Sequence, residues 1–322
     1  MKYSLMKLTA ILALAGLIAM GCNDITESDY DNDANNDLTT SEMHQELVPF
    51  AVPANADIFW LQDFSEDTDG WFDASNGWVG EITHIPGSET ANVKGQASEC
   101  PSYVVDRGID DCYVGVFSVF DGYRDIEWPG EYFADIDVYL DPSADDFLDG
   151  RWGFDYIVAS SNNAGGHLRD FNFHVGFVDG ELLINGSNNA DFYTNEFKLL
   201  NENSGNNYTV TEAGWYTLQH AFYNDGGNLA VDLNLFDENG ALIWTATRNT
   251  TDDIATTVGG NRYAWFSHID AANGIEVDNH SLYQVADAPE TKMDCKKGGW
   301  EAFGFRNQGQ CIRFVNTGKD SR

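Results

Sequence analysis

Several short stretches of this chain place carboxylates, amides and a histidine two residues apart, between apolar neighbours. Opposite the row Tyr132, Ala134, Ile136, Val138 and Leu140 stand Glu131, Phe133, Asp135, Asp137 and Tyr139. Opposite Phe171 and Phe173 stand Asp170, Asn172 and His174, with Arg169 adjoining. Thr217 and Gln219 oppose Tyr216 and Leu218, and Asp232 and Asn234 oppose Leu229, Val231, Leu233 and Leu235. A period of two sends alternate side chains to opposite faces of a strand, so each polar set shares a face. If these strands lie in one sheet, Glu131, Asp135, Asp137, Arg169, Asn172, His174, Gln219 and Asp232 form one polar surface. That mixture suits hydroxyl-rich ligands, because planar amides and acids match hydroxyl pairs while aromatic rings cover apolar patches. Trp128, beside Pro129 and Gly130, is the candidate stacking ring. A solvated outer sheet face carries the same pattern, and the residues alone leave both readings open.

Other chemistries find less support. His167, His174, His268 and His280 lack the short spacing of zinc ligands, and no Cys-x-x-Cys is present. There is no Gly-rich phosphate loop and no Gly-x-Ser-x-Gly elbow. His220 sits within an apolar row, which predicts a hydrogen-bonded core residue.

The elements that position these residues are strands. Period-2 rows run through residues 58 to 285, separated by turn clusters such as Asn224-Asp225-Gly226-Gly227 and Asp237-Glu238-Asn239-Gly240. Asn/Asp-Gly pairs supply the positive-φ positions that hairpin turns need. No long 3.6-residue apolar period is present, so the expected fold is all-β, with two packed antiparallel sheets over 58–286.

The 322 residues carry 52 acidic and 17 basic side chains, a formal net charge of −35. That excess repels nucleic acid and anionic lipid surfaces, so neither is an expected partner. Its sign is uneven. Residues 23–46 hold eight acids and no Lys or Arg, whereas residues 291–322 hold seven bases and three acids. The polar, acidic stretch 22–57 cannot bury enough apolar surface to order itself and reads as a tether.

At the start, Lys2 and Lys7 precede the apolar run from Leu8 to Met20, closed by Gly21-Cys22. The run is too short to span a bilayer, and the order resembles a bacterial lipoprotein signal, 1–21, with Cys22 as the lipidated residue. The resemblance implies export, attachment to membrane only through the lipid, and, with Asn23 after the cysteine, an outer-membrane location facing outward. The remaining cysteines fall into two local pairs, Cys100 with Cys112 and Cys295 with Cys311, consistent with an oxidising compartment. The second pair closes a small basic hairpin within 287–322.

Gly214-Trp215-Tyr216-Thr217 followed by Tyr223 to Leu229 resembles the hairpin of concanavalin A-like jelly rolls, the laminin-G and legume-lectin type. Asp63-Phe64-Ser65-Glu66-Asp67 and Gly274-Ile275-Glu276-Val277-Asp278 are similar to the opening and closing strands of jelly-roll carbohydrate-binding modules. The resemblance implies an antiparallel jelly-roll β-sandwich that binds polysaccharide. It also implies a structural calcium ion between the two edge strands, with Asp63, Glu66 and Asp278 as ligands, since hard cations take several oxygens. Two alternatives stay open. Hydrolases and lyases share this fold, although the Glu131–Asp137 stretch lacks the hydrolase spacing and Arg169, His174, Gln219 and Tyr139 match no lyase motif. A non-catalytic structural or adhesive envelope protein is the other.

Overall fold

The computed structural model describes residues 52–53, 56–73, 75, 80–98, 112–120, 127–148, 150–188, 206–254, 258–285, 289, 291–293, 295–303 and 305–317. The signal, Cys22 and most of the tether lie outside these residues, as does Cys100. Among the described residues no helix is long and apolar enough to cross a membrane.

Two eight-stranded antiparallel sheets form the body. The first contains β1 (Ala56–Gln62), β3 (Glu81–His84), β4 (Ala91–Lys94), β7 (Tyr132–Leu140), β12 (Gly214–Asp225), β13 (Asn228–Phe236), β14 (Leu242–Ile254) and β16 (Ile275–Val285). Its order is β14-β13-β12-β7-β16-β4-β3, with β1 also on β16. The second contains β2 (Trp71–Phe72), β5 (Gln96–Ser98), β6 (Cys112–Ser118), β8 (Gly153–Asn162), β9 (His167–Val178), β10 (Glu181–Asn188), β11 (Tyr208–Val210) and β15 (Val258–Ser267). There the order is β11-β10-β9-β8-β15-β6-β2, with β5 also on β6. The antiparallel β-sandwich expected from the period-2 rows is the observed architecture.

The apolar rows meet between the sheets. Tyr132, Ala134, Ile136, Val138 and Leu140 of β7 are all at most 1% exposed, and Leu229, Val231, Leu233 and Leu235 of β13 match them. Phe154, Tyr156 and Val158 of β8, with Phe171, Phe173 and Val175 of β9, close the core from the other sheet. His220 joins this core, where its Nε2 lies 3.0 Å from the Phe171 carbonyl oxygen. Burial there pushes its imidazole down to about 3, outweighing the bond to the Phe171 carbonyl, which favours the charged form.

Two local features set the face that matters. Gly226 and Gly227, with φ of 61° and 107°, make the two-residue turn joining β12 to β13, and the Asp225–Asn228 pairing beside it fixes that hairpin's register. On β16 the register with β7 shifts between Asp278 and Ser281, where Asn279 adopts φ of 47°. One extra residue at this bulge keeps Asp278 and Ser281 on the same outer face while His280 turns inward to Tyr156.

The opening strand is β1, and it does pair with the closing strand β16. The Asp63–Asp67 stretch is the turn after β1 rather than part of it. The basic tail is closed by a Cys295–Cys311 disulfide, with Cα atoms 5.6 Å apart. Its hairpin is helical, built from α1 (Gly299–Ala302) and α2 (Gln308–Thr317) around a small cluster of Cys295, Phe305 and Cys311.

Candidate functional site

Asp135 and Asp137 on β7, Gln219 on β12 and Asp232 on β13 share the outer face of the first sheet, because those strands are direct neighbours. Their side chains are tied together across the strands. Thr245 of β14 donates its hydroxyl to Asn234 Oδ1 at 2.8 Å, and Asn234 Nδ2 donates to Gln219 Oε1 at 3.0 Å. Gln219 Nε2 in turn donates to Asp135 Oδ2 at 3.3 Å, and the Tyr283 hydroxyl of β16 donates to the same oxygen at 2.8 Å. One polar chain therefore crosses five adjacent strands, about 19 Å at ordinary strand spacing.

Two branches extend it. Asp232 accepts hydrogen bonds from Thr247 Oγ1 at 2.6 Å and from the Tyr223 hydroxyl at 3.3 Å. Asp137 accepts from Thr217 Oγ1 at 2.5 Å and from Asn279 Nδ2 at 3.0 Å, and the same amide nitrogen reaches Asp278 Oδ2 at 3.0 Å. Cross-strand pairing alone explains the proximity: Gln219 stands opposite both Asp135 and Asn234, and Asn234 opposite Thr245.

Aromatic pairs bracket the polar array. Phe133 and Tyr283 stack with centroids 5.3 Å apart and planes 17° apart, while Tyr139 and Trp215 meet edge-on at 5.7 Å. Phe133 and Tyr139 are six residues apart on β7, about 20 Å along the strand. Trp215 and Tyr283 were not singled out from sequence. Trp215 lay inside the hairpin motif, and the bulge at Asn279 hides the period-2 signal that would have placed Tyr283 opposite Phe133.

The carboxylates of this face are held high. Burial pushes Asp135 up to about 8, with Asp137 adding repulsion, against the hydrogen bonds from Tyr283 and Gln219. Burial also raises Asp278 to about 8, with Asp137, Asp63 and Glu89 adding to it, and raises Asp137 to about 6. Asp232, Asn234 and Asn279 are half-buried and Thr245 and Thr247 exposed, so the array runs from an open side to a recessed acidic one.

The expected single surface is nevertheless divided. Asn172 and His174 lie on β9 in the second sheet, on its own outer face, and Arg169 lies at the start of the same strand. There His174 bridges Asp155 Oδ1 through Nδ1 and Ser187 Oγ through Nε2, each at 2.6 Å. Burial works to raise the Asp155 carboxyl, but His174 and His268 outweigh it and hold it below the usual range. The set is closed off, with Asp155 and His174 each 1% exposed and Ser187 and Asn172 fully covered. Trp128 is also displaced: it packs against the core, its ring 5.8 Å from that of inward-facing Tyr132. Glu131 is exposed at the mouth of β7.

For the calcium ligands, Asp63 lies within electrostatic reach of Asp278. Asp63 Oδ1 already accepts from the Ser65 amide and hydroxyl, at 3.1 and 2.8 Å. Among the described residues no three acidic, histidine or cysteine side chains gather closely enough to hold a metal ion.

No protein-family profile matches this chain, and no curated protein sequence matches it. Solved structures do align with it loosely. The CBM2 module of the evolved Dit of Lactobacillus casei BL23 phage J-1 is 8% identical, with a TM-score of 0.40 over 72% of this chain and 97% of the module. Arcelin-5, a lectin-like defense protein from Phaseolus vulgaris, is 11% identical with a TM-score of 0.33, over 71% of this chain and 98% of its own. Lectin UEA-II, solved with galactose, is 11% identical with a TM-score of 0.34, over 70% of this chain and 98% of its own. At such scores the likeness carries no weight for function, and the reading of the site rests on its own side chains.

Proposed function

We propose that this chain is a glycan-binding β-sandwich that captures extracellular polysaccharide on the outer face of its first sheet. The observation that carries the reading is the hydrogen-bonded chain Thr245–Asn234–Gln219–Asp135–Tyr283, flanked by the Phe133–Tyr283 and Tyr139–Trp215 aromatic pairs. Amides and carboxylates locked into one orientation present donors and acceptors at set spacing, and rings beside them offer apolar surface to a sugar face. Pre-ordered side chains also lose little entropy on binding. The test is a glycan array probed with the chain lacking residues 1–21, followed by titration of the Asn234→Ala, Trp215→Ala and Asp232→Ala variants. Each variant is expected to lose about tenfold in affinity, the worth of one well-placed bond or ring contact. Binding unchanged in all three would end the proposal.

Export, lipidation at Cys22 and display on the outer membrane belong to the same proposal and rest on the order of residues 1–22. They are tested by metabolic labelling with an acyl analogue, which Cys22→Ala should abolish. Structural calcium at the Asp63, Glu66 and Asp278 edge is tested by chelation, where an unchanged melting temperature rejects it. A second reading, a glycoside hydrolase, is favoured by one observation: Asp135 and Asp137, two residues apart on one face, hold their carboxyls at about 8 and about 6. A proton-bearing acid beside an ionised base is the pairing that glycoside cleavage uses. Release of reducing ends from a bound glycan, lost in Asp135→Asn, would establish it.

A further inference from the structure

The recessed side of the glycan face contains buried polar atoms that no described residue satisfies. Asp135 Oδ1 is buried and has no hydrogen-bond partner, and neither has Ser281 Oγ, in a residue only 1% exposed. Asp135 and Ser281 are paired residues on adjoining strands, so both unmet groups lie side by side on the outer face. Directly along the same two strands, Asp137 stands opposite Asp278, and one Asn279 amide nitrogen serves both carboxylates. Strands β7, β12, β13 and β16 together contain no Lys or Arg, and the only other charges they bring are Asp225, Asp232 and Glu276. Buried acceptors without donors, and carboxylates without a counter-charge, are costly unless a ligand completes them.

Resting on the glycan-binding reading, we propose that the sugar this face selects carries a free, protonated amine, which enters between Asp135, Ser281, Asp137 and Asp278. An ammonium has three donors and no acceptor. Its charge and three donors suit a recess of three carboxyls and one hydroxyl with no Lys or Arg on the four strands, in a way that a neutral hydroxyl does not. An anionic sugar meets no positive side chain there. Charge assistance also makes each such bond about twice as strong as a neutral one.

The high carboxyl value of Asp135 supplies a signature. A cation placed beside it stabilises its ionised form, so binding below that value expels a proton. Loose attraction of a polycation to surface carboxylates, already ionised, expels none.

The experiment is calorimetric titration with three oligosaccharides of equal length: glucosamine, N-acetylglucosamine and glucose oligomers. It is run at about pH 5.5, where the amines are protonated and Asp135 still holds its proton, in buffers of different ionisation heat. The glucosamine oligomer is expected to bind about tenfold tighter than its N-acetyl counterpart, with net proton release. Asp135→Asn, checked for an unchanged aromatic circular dichroism spectrum, should lose both the preference and the proton release, and Asp278→Asn, checked likewise, should weaken the preference. Substituting Asp237 and Glu238, on the turn before β14, should lose neither. Equal binding of all three oligomers, or binding of the amine oligomer without proton release, overturns the amine inference and leaves glycan binding standing. Binding of none of them overturns the inference, and a silent glycan array then removes the underlying reading as well.

Discussion

Replacing Asp135 by Asn should stabilise the protein, and by an amount that grows with pH. In the folded chain the Asp135 carboxyl is buried, 3% exposed, and pushed up to about 8 from the ordinary carboxylate value of 3.8. A carboxyl raised on folding favours the native state below its unfolded value, and that advantage is lost as pH rises through the folded one. Ionising Asp135 inside the fold thus costs roughly 5 kcal/mol accumulated between about pH 4 and 8. The whole-protein curve does not show this directly, because His220 titrates in the opposite sense below about 6.5. The difference between Asp135→Asn and the parent removes that term. Between pH 6.5 and 8 the difference in unfolding free energy should widen by roughly 2 kcal/mol. The carboxamide oxygen still accepts from Tyr283 and Gln219, while its NH2 gives the Ser281 hydroxyl oxygen the partner it lacks. Urea unfolding followed by tryptophan fluorescence at several pH values measures the gap. A difference that stays constant with pH, or that favours the parent at pH 8, would refute the assignment of Asp135 as a buried, proton-holding acid.

Other outcomes follow from the same geometry. His220→Leu should cost about 1 kcal/mol near neutrality through the lost bond to the Phe171 carbonyl. It should nevertheless move the acid-unfolding midpoint lower: a base depressed to about 3 contributes stability above about 6.5 that vanishes as pH falls. Cys295→Ser should cost the tail about 3 kcal/mol, as expected for opening a loop with a sequence separation of 16. Faster amide exchange across Gln308–Thr317 with an unchanged sandwich melting transition is the pattern to look for, since the tail has its own apolar cluster. Gly80→Ala should be among the most damaging small changes. Its φ is +83°, and an added Cβ would sit 2.7 Å from the Gly115 carbonyl carbon, which is backbone and cannot swing aside. Gly87→Ala, with φ of +86° and nothing within 4 Å, should cost only the backbone strain, so the gap between the two melting temperatures isolates the steric part.

The residues themselves determined which side of each strand faces oil and which faces outward. The rows Tyr132–Leu140 and Leu229–Leu235 fill the core as their period requires, because a side chain's facing depends only on alternation. The Gly226-Gly227 turn was equally legible, since positive φ at both positions is a local demand. So was the Cys295–Cys311 closure, though the helical form of the segment it closes was not. What only the tertiary structure decided is which strands are neighbours. Alternation marks Asn172 and Asp135 alike as outward-facing, yet β9 pairs with β8 and β10 while β7 pairs with β12 and β16, so the two residues end on different sheets. The bulge at Asn279 then brings Ser281 and Tyr283 to Asp135, a juxtaposition set by one extra residue in a strand from the far end of the chain. Strand facing is a short-range property of the chain, whereas the choice of neighbour is settled by how the whole set of apolar faces can be buried at once.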